Sequence, residues 1–143
     1  MDKLRKKLNV LLADDDPKDQ KRFETALMQS GHPVKIQSVY NGLKLIDYLK
    51  ELNSAKKLSM PDLIITDLYM PFAGGLQVLK QIRRESAYQQ IPIYVFSANF
   101  DISTQKNVKE FGATGFFRKP EGHGELQDLI NGILETHQAT LLS

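Results

Sequence analysis

Asp62-Leu63-Ile64-Ile65-Thr66-Asp67-Leu68-Tyr69-Met70-Pro71 is the stretch on which the reading of the fold turns. Leu63-Ile64-Ile65 is a short apolar run, β-branched at two of its three positions and bracketed by Pro61 and Pro71, which predicts a buried strand of a parallel sheet. Asp67 falls where that strand ends. A carboxylate at the C-terminal edge of a parallel sheet faces the crevice in which such sheets bind ligands. Taken alone it is more simply a capping or turn aspartate, so its meaning depends on what the neighbouring strands bring to the same edge.

Upstream, Asn9 to Ala13 reads as a first buried strand running into Asp14, Asp15 and Asp16, with Pro17 beginning a helix. Phe23, Ala26 and Leu27 recur at helical spacing until Ser30-Gly31-His32-Pro33 stops the pattern. Val34 to Val39 alternates as a second strand, Asn41-Gly42 turns, and Leu45, Ile46, Leu49 and Leu52 mark a second helix before a polar loop from Asn53 to Ser59. Downstream of Asp67, the glycines of Phe72-Ala73-Gly74-Gly75 loosen the chain ahead of a helix carrying Leu76, Leu79 and Ile82, which Arg83, Arg84 and Glu85 close on a polar face. Ile91 to Phe96 is a fourth strand with Pro92 tolerated at its start, and Ser97 follows at its C-terminal end. A weaker helix has Val108 and Phe111 inside and Gln105, Lys106 and Lys109 outside. Gly112 to Gly115 turns into a short strand, Phe116-Phe117-Arg118, which Lys119-Pro120 ends. After a loop from Glu121 to Gly124, Leu126, Leu129, Ile130, Ile133 and Leu134 stripe a final helix.

Strand and helix patterns thus alternate five times, which predicts an α/β domain with a parallel sheet between helices. Strand C-terminal ends then share one edge, so Asp14 to Asp16, Asp67, Ser97 and Lys119 should converge there.

The 143 residues suit one domain, with no room expected for a separate output domain. A composition of 41% hydrophobic and 25% charged residues, without an apolar run of membrane-spanning length or the apolar core of a secretory signal, predicts a soluble protein and no membrane partner. The absence of cysteine excludes disulfides, thiol catalysis and Cys-zinc sites and fits the cytoplasm. A net charge of +2 argues for no nucleic-acid partner, and the Lys3 to Lys7 cluster reads as a solvated basic tail. No helix-turn-helix signal is present. His32, His123 and His137 are scattered without a metal-ligand spacing and read as surface residues.

Four segments, Leu11-Leu12-Ala13-Asp14-Asp15-Asp16-Pro17, Leu63 to Pro71, Val95-Phe96-Ser97-Ala98 and Gly112 to Pro120, closely resemble in order and spacing the receiver domains of two-component response regulators. The resemblance runs from about Asn9 to His137. It implies a flavodoxin-like, doubly wound five-stranded parallel sheet of order 2-1-3-4-5 with helices on both faces, divided into a basic tail 1–8, a receiver domain 9–137 and a C-terminal tail 138–143.

By the same resemblance Asp67 is the phosphoacceptor, attacking a phosphohistidine on a sensor histidine kinase or a histidine phosphotransfer protein. A carboxylate is already a nucleophile at neutral pH, but two unit charges about 4 Å apart repel by roughly 4 kcal/mol at an effective dielectric of 20. A hard cation must offset that. Mg²⁺, with Mn²⁺ able to substitute, is held by Asp15 and Asp67 directly, by Asp14 through water and by the backbone carbonyl of Tyr69. Asp16 falls outside this set and reads as a helix-start acid. Ser97 and Lys119 hold phosphoryl oxygens, and the Lys119-Pro120 bond is expected to be cis. Phe116 is the switch aromatic, turning inward as the Ser97 hydroxyl moves and altering the face formed by the fourth helix, fifth strand and fifth helix, which an unknown downstream protein reads. Lys106, Lys109 and Arg118 contribute charge there.

Glu121, Gly122 and Gly124 depart from the usual apolar residue and tighter loop after Lys-Pro, and Tyr69 and Asn99 flank the path of a hydrolytic water. The expected protein is a monomer or weak homodimer that signals through phosphorylation, catalysing only its own phosphorylation and dephosphorylation. Two alternatives are a phosphorylation-independent scaffold on the same fold and a phosphohydrolase. Tyr69, two residues past the nucleophile, offers the latter no second acid.

Overall fold

The computed structural model describes residues 6–55, 60–98 and 101–142, with side chains through 138. The strands β1 (Leu8–Ala13), β2 (Val34–Val39), β3 (Leu63–Asp67), β4 (Ile93–Ser97) and β5 (Gly115–Arg118) alternate with the helices α1 (Pro17–Met28), α2 (Gly42–Ala55), α3 (Gly75–Arg84), α4 (Ile102–Glu110) and α5 (His123–Leu142). All four strand pairings are parallel and the order is β2-β1-β3-β4-β5, as the doubly wound reading requires.

The two-residue period of the strands divides the core. Leu11, Ala13, Ile64, Ile93 and Val95 face one way and bury against Leu45, Ile46 and Leu49 of α2, Val78, Leu79 and Ile82 of α3 and Val108 of α4. Val10, Leu12, Leu63, Ile65, Tyr94 and Phe96 face the other way, against Phe23, Ala26 and Leu27 of α1 and Leu126, Ile130, Ile133 and Leu134 of α5. Full burial of β3 and β4 explains their nearly continuous apolar sequence.

Several local expectations shift. Helix α2 continues through Asn53, Ser54 and Ala55, and the rest of the expected loop lies outside the described residues. β4 starts at Ile93, two residues later than the apolar run suggests, while Pro92 contributes only its carbonyl, which accepts from Ile64 N–H. Gly124 belongs to the first turn of α5. Arg83 does not sit on a polar face: its guanidinium donates to the carbonyls of Gly112, Tyr88 and Gln89, stitching α3 to the turn before β5 and to the 3₁₀ turn Ser86–Tyr88. His137 is partly buried, with its Nε2 2.6 Å from the Tyr94 hydroxyl.

Two glycines let helices approach the functional edge. A Cβ on Gly75 would lie 2.8 Å from Leu68 Cα and 2.9 Å from the Asp67 carbonyl oxygen, so only glycine lets α3 start directly against the end of β3. A Cβ on Gly42 would lie 2.0 Å from the Ala73 carbonyl oxygen, which locks the start of α2 to the β3–α3 loop.

Candidate functional site

The parallel register brings β1, β3, β4 and β5 to a common edge, where Asp14 follows β1, Asp67 and Ser97 end β3 and β4, and Lys119 follows β5. Asp14 is fixed by the sheet: its N–H donates to the Val39 carbonyl, while the buried Gln20 amide donates to the carbonyls of both Asp14 and Val39. Asp14 Oδ1 in turn accepts from Asp16 N–H. Asp16 turns away to cap α1, accepting from Lys18 N–H, as a helix-start acid should.

Carboxylate oxygens of Asp14, Asp15 and Asp67 all lie within 4.8 Å of one another, Asp14 and Asp67 buried and Asp15 exposed. This is an all-oxygen donor set of the kind hard divalent cations take. Lys119 joins the same cluster from the residue that follows β5. Its ammonium is 3.0 Å from Asp14, 2.9 Å from Asp19 and 3.3 Å from Asp67. The main chain fixes its root, because Lys119 N–H donates to the Ser97 carbonyl.

The electrostatics follow from charge taken out of water. Burial, reinforced by Asp14 and only partly offset by Lys119, raises Asp67 from 3.8 to about 6. Burial also raises Asp14, against the Asp16 N–H and Lys119. Lys119 is disfavoured by burial, but its bonds to Asp19 and Asp14 and the field of Asp67 outweigh that and hold it above the ordinary lysine value. Even with the ammonium in place, Asp14 and Asp67 remain short of positive charge, which is the condition a divalent cation relieves.

The described residues contain no cis peptide bond, so Lys119-Pro120 is trans. Three carboxylates and the strand-end hydrogen bond orient the lysine, with no isomer needed to aim it. Ser97 is fully buried at the end of β4, between the strands that carry Asp67 and Lys119. Tyr69 is exposed and its N–H donates to the Asp67 carboxylate, while Asn99 lies outside the described residues. Phe116, paired with Val95, is half-buried against the α4 side of the core. With Gln105, Lys106, Lys109 and Thr114 it lines a groove of about 360 Å³.

Sequence reading missed Asp19 and Arg22. Asp19 Oδ1 accepts from Arg22 Nη1 at 3.1 Å, and Arg22 Nη2 donates to the carbonyls of Pro120 and Glu121. The available signal was an acid and a base three residues apart on the helix that follows the acidic cluster.

Residues 10–131 match the response regulator receiver domain family. The chain belongs to that family. This receiver domain is 32% identical over 133 residues to the KDP operon transcriptional regulatory protein KdpE of Escherichia coli K12, a match spanning 92% of this chain and 53% of KdpE. It is 31% identical over 123 residues to the two-component response regulator ARR17 of Arabidopsis thaliana, covering 82% of this chain and 78% of that protein. Among solved structures, the phosphorylated cyanobacterial phytochrome response regulator RcpA superposes with a TM-score of 0.84 at 24% identity, covering 94% of this chain and 96% of RcpA, a likeness of fold. The receiver domain spans about half the length of the first curated relatives it matches. None of its described helices is long and apolar enough to cross a membrane.

Proposed function

We propose that this receiver domain accepts a phosphoryl group on Asp67 from a phosphohistidine of a sensor histidine kinase or histidine phosphotransfer protein, in the cytoplasm, and signals by protein contact that depends on phosphorylation. The observation that carries the reading is the gathering of three carboxylates within 4.8 Å of one another with the Lys119 ammonium 3.3 Å from Asp67.

In the transfer, an Asp67 carboxylate oxygen forms a bond to phosphorus as the phosphorus–nitrogen bond of the donor breaks and the imidazole leaves. With an ordinary value raised only to about 6, Asp67 is mostly ionised at neutral pH and needs no general base. Mg²⁺, or Mn²⁺ in its place, fits the oxygen donors: Asp15 and Asp67 would hold it directly, Asp14 through water, and the Tyr69 carbonyl would complete the protein ligands. When bound, it supplies positive charge that offsets repulsion between Asp67 and the incoming phosphoryl oxygens. Lys119 takes one phosphoryl oxygen and the Ser97 hydroxyl another. The domain thereby catalyses its own phosphorylation and hydrolysis and no further turnover. Movement of Ser97 toward the phosphoryl group lets Phe116 turn inward, which remodels the groove beside Lys106 and Lys109 that a downstream protein reads.

Incubation with acetyl phosphate and Mg²⁺, followed by intact-mass spectrometry, tests the reading. One added phosphoryl group is expected, abolished by Asp67→Asn and by chelation of the metal. Incorporation that survives Asp67→Asn would overturn the assignment.

A further inference from the structure

The Lys119 ammonium lies against three carboxylates: Asp14 at 3.0 Å, Asp19 at 2.9 Å and Asp67 at 3.3 Å. Of these acceptors, Asp14 and Asp67 belong to the group whose oxygens gather for a cation, and Asp19 does not. Asp19 stands on the first turn of α1, and its other oxygen is engaged by Arg22 one turn on. Arg22 also donates to the carbonyls of Pro120 and Glu121, the two residues after Lys119. The pair therefore clasps the backbone just beyond Lys119 as well as its side-chain tip.

We propose that Asp19, braced by Arg22, is a positioning residue that holds the Lys119 ammonium in register with Asp67 when the other two carboxylates are committed elsewhere. A divalent cation and Lys119 draw on the same two carboxylates, Asp14 and Asp67, so occupancy by the cation competes with two of the three anchors of the lysine. Asp19 is the anchor left. A lysine is a point charge on a flexible stem; without a fixed partner its ammonium explores positions from which it cannot meet a phosphoryl oxygen. Anchored to α1, it keeps N–H groups directed at the end of β3. Burial opposes the charge of Asp19, yet Lys119 and Arg22 keep its carboxyl below the ordinary value, so the anchor is ionised throughout the neutral range.

This role rests on the reading of Asp67 as phosphoacceptor, and the test separates the two. Phosphoryl uptake from acetyl phosphate at saturating Mg²⁺ is measured for the unsubstituted chain, Asp19→Ala, Lys119→Ala and the double variant, with the Mg²⁺ dissociation constant of each from calorimetry. Asp19→Ala is expected to slow uptake about tenfold, the scale of a misplaced but still present group, while weakening Mg²⁺ binding less than about threefold. In the Lys119→Ala background the same substitution should change uptake by less than about twofold, since coupled positions do not add. Arg22→Gln should act in the same direction by a smaller factor and should likewise be silent without Lys119; it serves if Asp19→Ala does not fold. In the metal-free protein the thermal-midpoint losses of Asp19→Ala and Lys119→Ala should also be less than additive. Equal slowing in both backgrounds, or slowing explained by lost Mg²⁺ affinity, would overturn the role of Asp19 alone. Absence of uptake by the unsubstituted chain would overturn the reading of Asp67 together with it.

Discussion

The Lys119 ammonium and the Asp67 carboxylate lie 3.3 Å apart and nine-tenths buried, an ion pair that joins the end of β5 to the end of β3 across β4. The lysine neutralises a site in which acids outnumber bases. Its removal and the neutralisation of Asp67, whose ionised form burial disfavours, should therefore have opposite consequences for stability.

Lys119→Ala leaves Asp14, Asp19 and Asp67 without their shared counter-charge. Breaking a buried pair from one side typically costs about 3–5 kcal/mol. Chemical denaturation of the metal-free variant at neutral pH should show a loss approaching that range. Millimolar Mg²⁺ should recover part of it, and an unchanged midpoint would show that the site is far better hydrated than its burial indicates.

Asp67→Asn should stabilise the metal-free protein at pH 7 to 8. The folded carboxyl titrates at about 6 against 3.8 when unperturbed, so the folded state retains its proton to the higher pH. That contribution is fully present below 3.8 and is lost as pH rises through about 6, leaving the ionised form disfavoured by up to about 3 kcal/mol. A neutral amide of the same shape escapes this cost. A rise of several degrees in the thermal midpoint is expected, with the gain vanishing toward pH 4.

His137 gives the opposite slope. Burial, opposed by Asp62, lowers its imidazole below the ordinary 6.5, so the folded state favours the neutral ring beside Tyr94. A depressed histidine contributes stability that is intact above 6.5 and declines as pH falls from there toward the folded value. Because Asp67 titrates in an overlapping range with the reverse sign, the informative measurement is the stability difference between the unsubstituted protein and His137→Gln. That difference should shrink from pH 7.5 to pH 5.5; a flat difference would remove the histidine from the account.

Phe72 combines a backbone φ of 71° with 83% exposure. The left-handed region costs an ordinary L residue roughly 1–2 kcal/mol, and asparagine visits it more readily. Little burial is forfeited at this position, so Phe72→Asn should raise the unfolding free energy by about 1 kcal/mol. Denaturant titration at constant slope would register it.

Strand ends were legible because a two-residue period and an apolar run fix both where a strand lies and which side chain leaves it. Asp67, Ser97 and Lys119 were placed by that logic, and the parallel sheet brings their backbones to one edge. What escaped were side chains whose partners lie far off in sequence. Arg83 reads as a solvated base until its three carbonyl acceptors are assembled by folding. His137 reads as a surface residue because Tyr94 is 43 positions away, and the Asp19–Lys119 contact spans 100. The expected cis bond before Pro120 came with the family resemblance; here carboxylates from β1, α1 and β3 aim the lysine across a trans bond.

Gly42 and Gly75 carry no charge of their own, yet neither position has space for even one more carbon. In a saturation screen scored on signalling output, both should reject nearly every substitution as firmly as the proposed phosphoacceptor Asp67, and would be mistaken for chemistry. Abundance measured in parallel would tell them apart: substitutions at the two glycines should deplete the protein itself, whereas Asp67→Asn should leave it plentiful and mute.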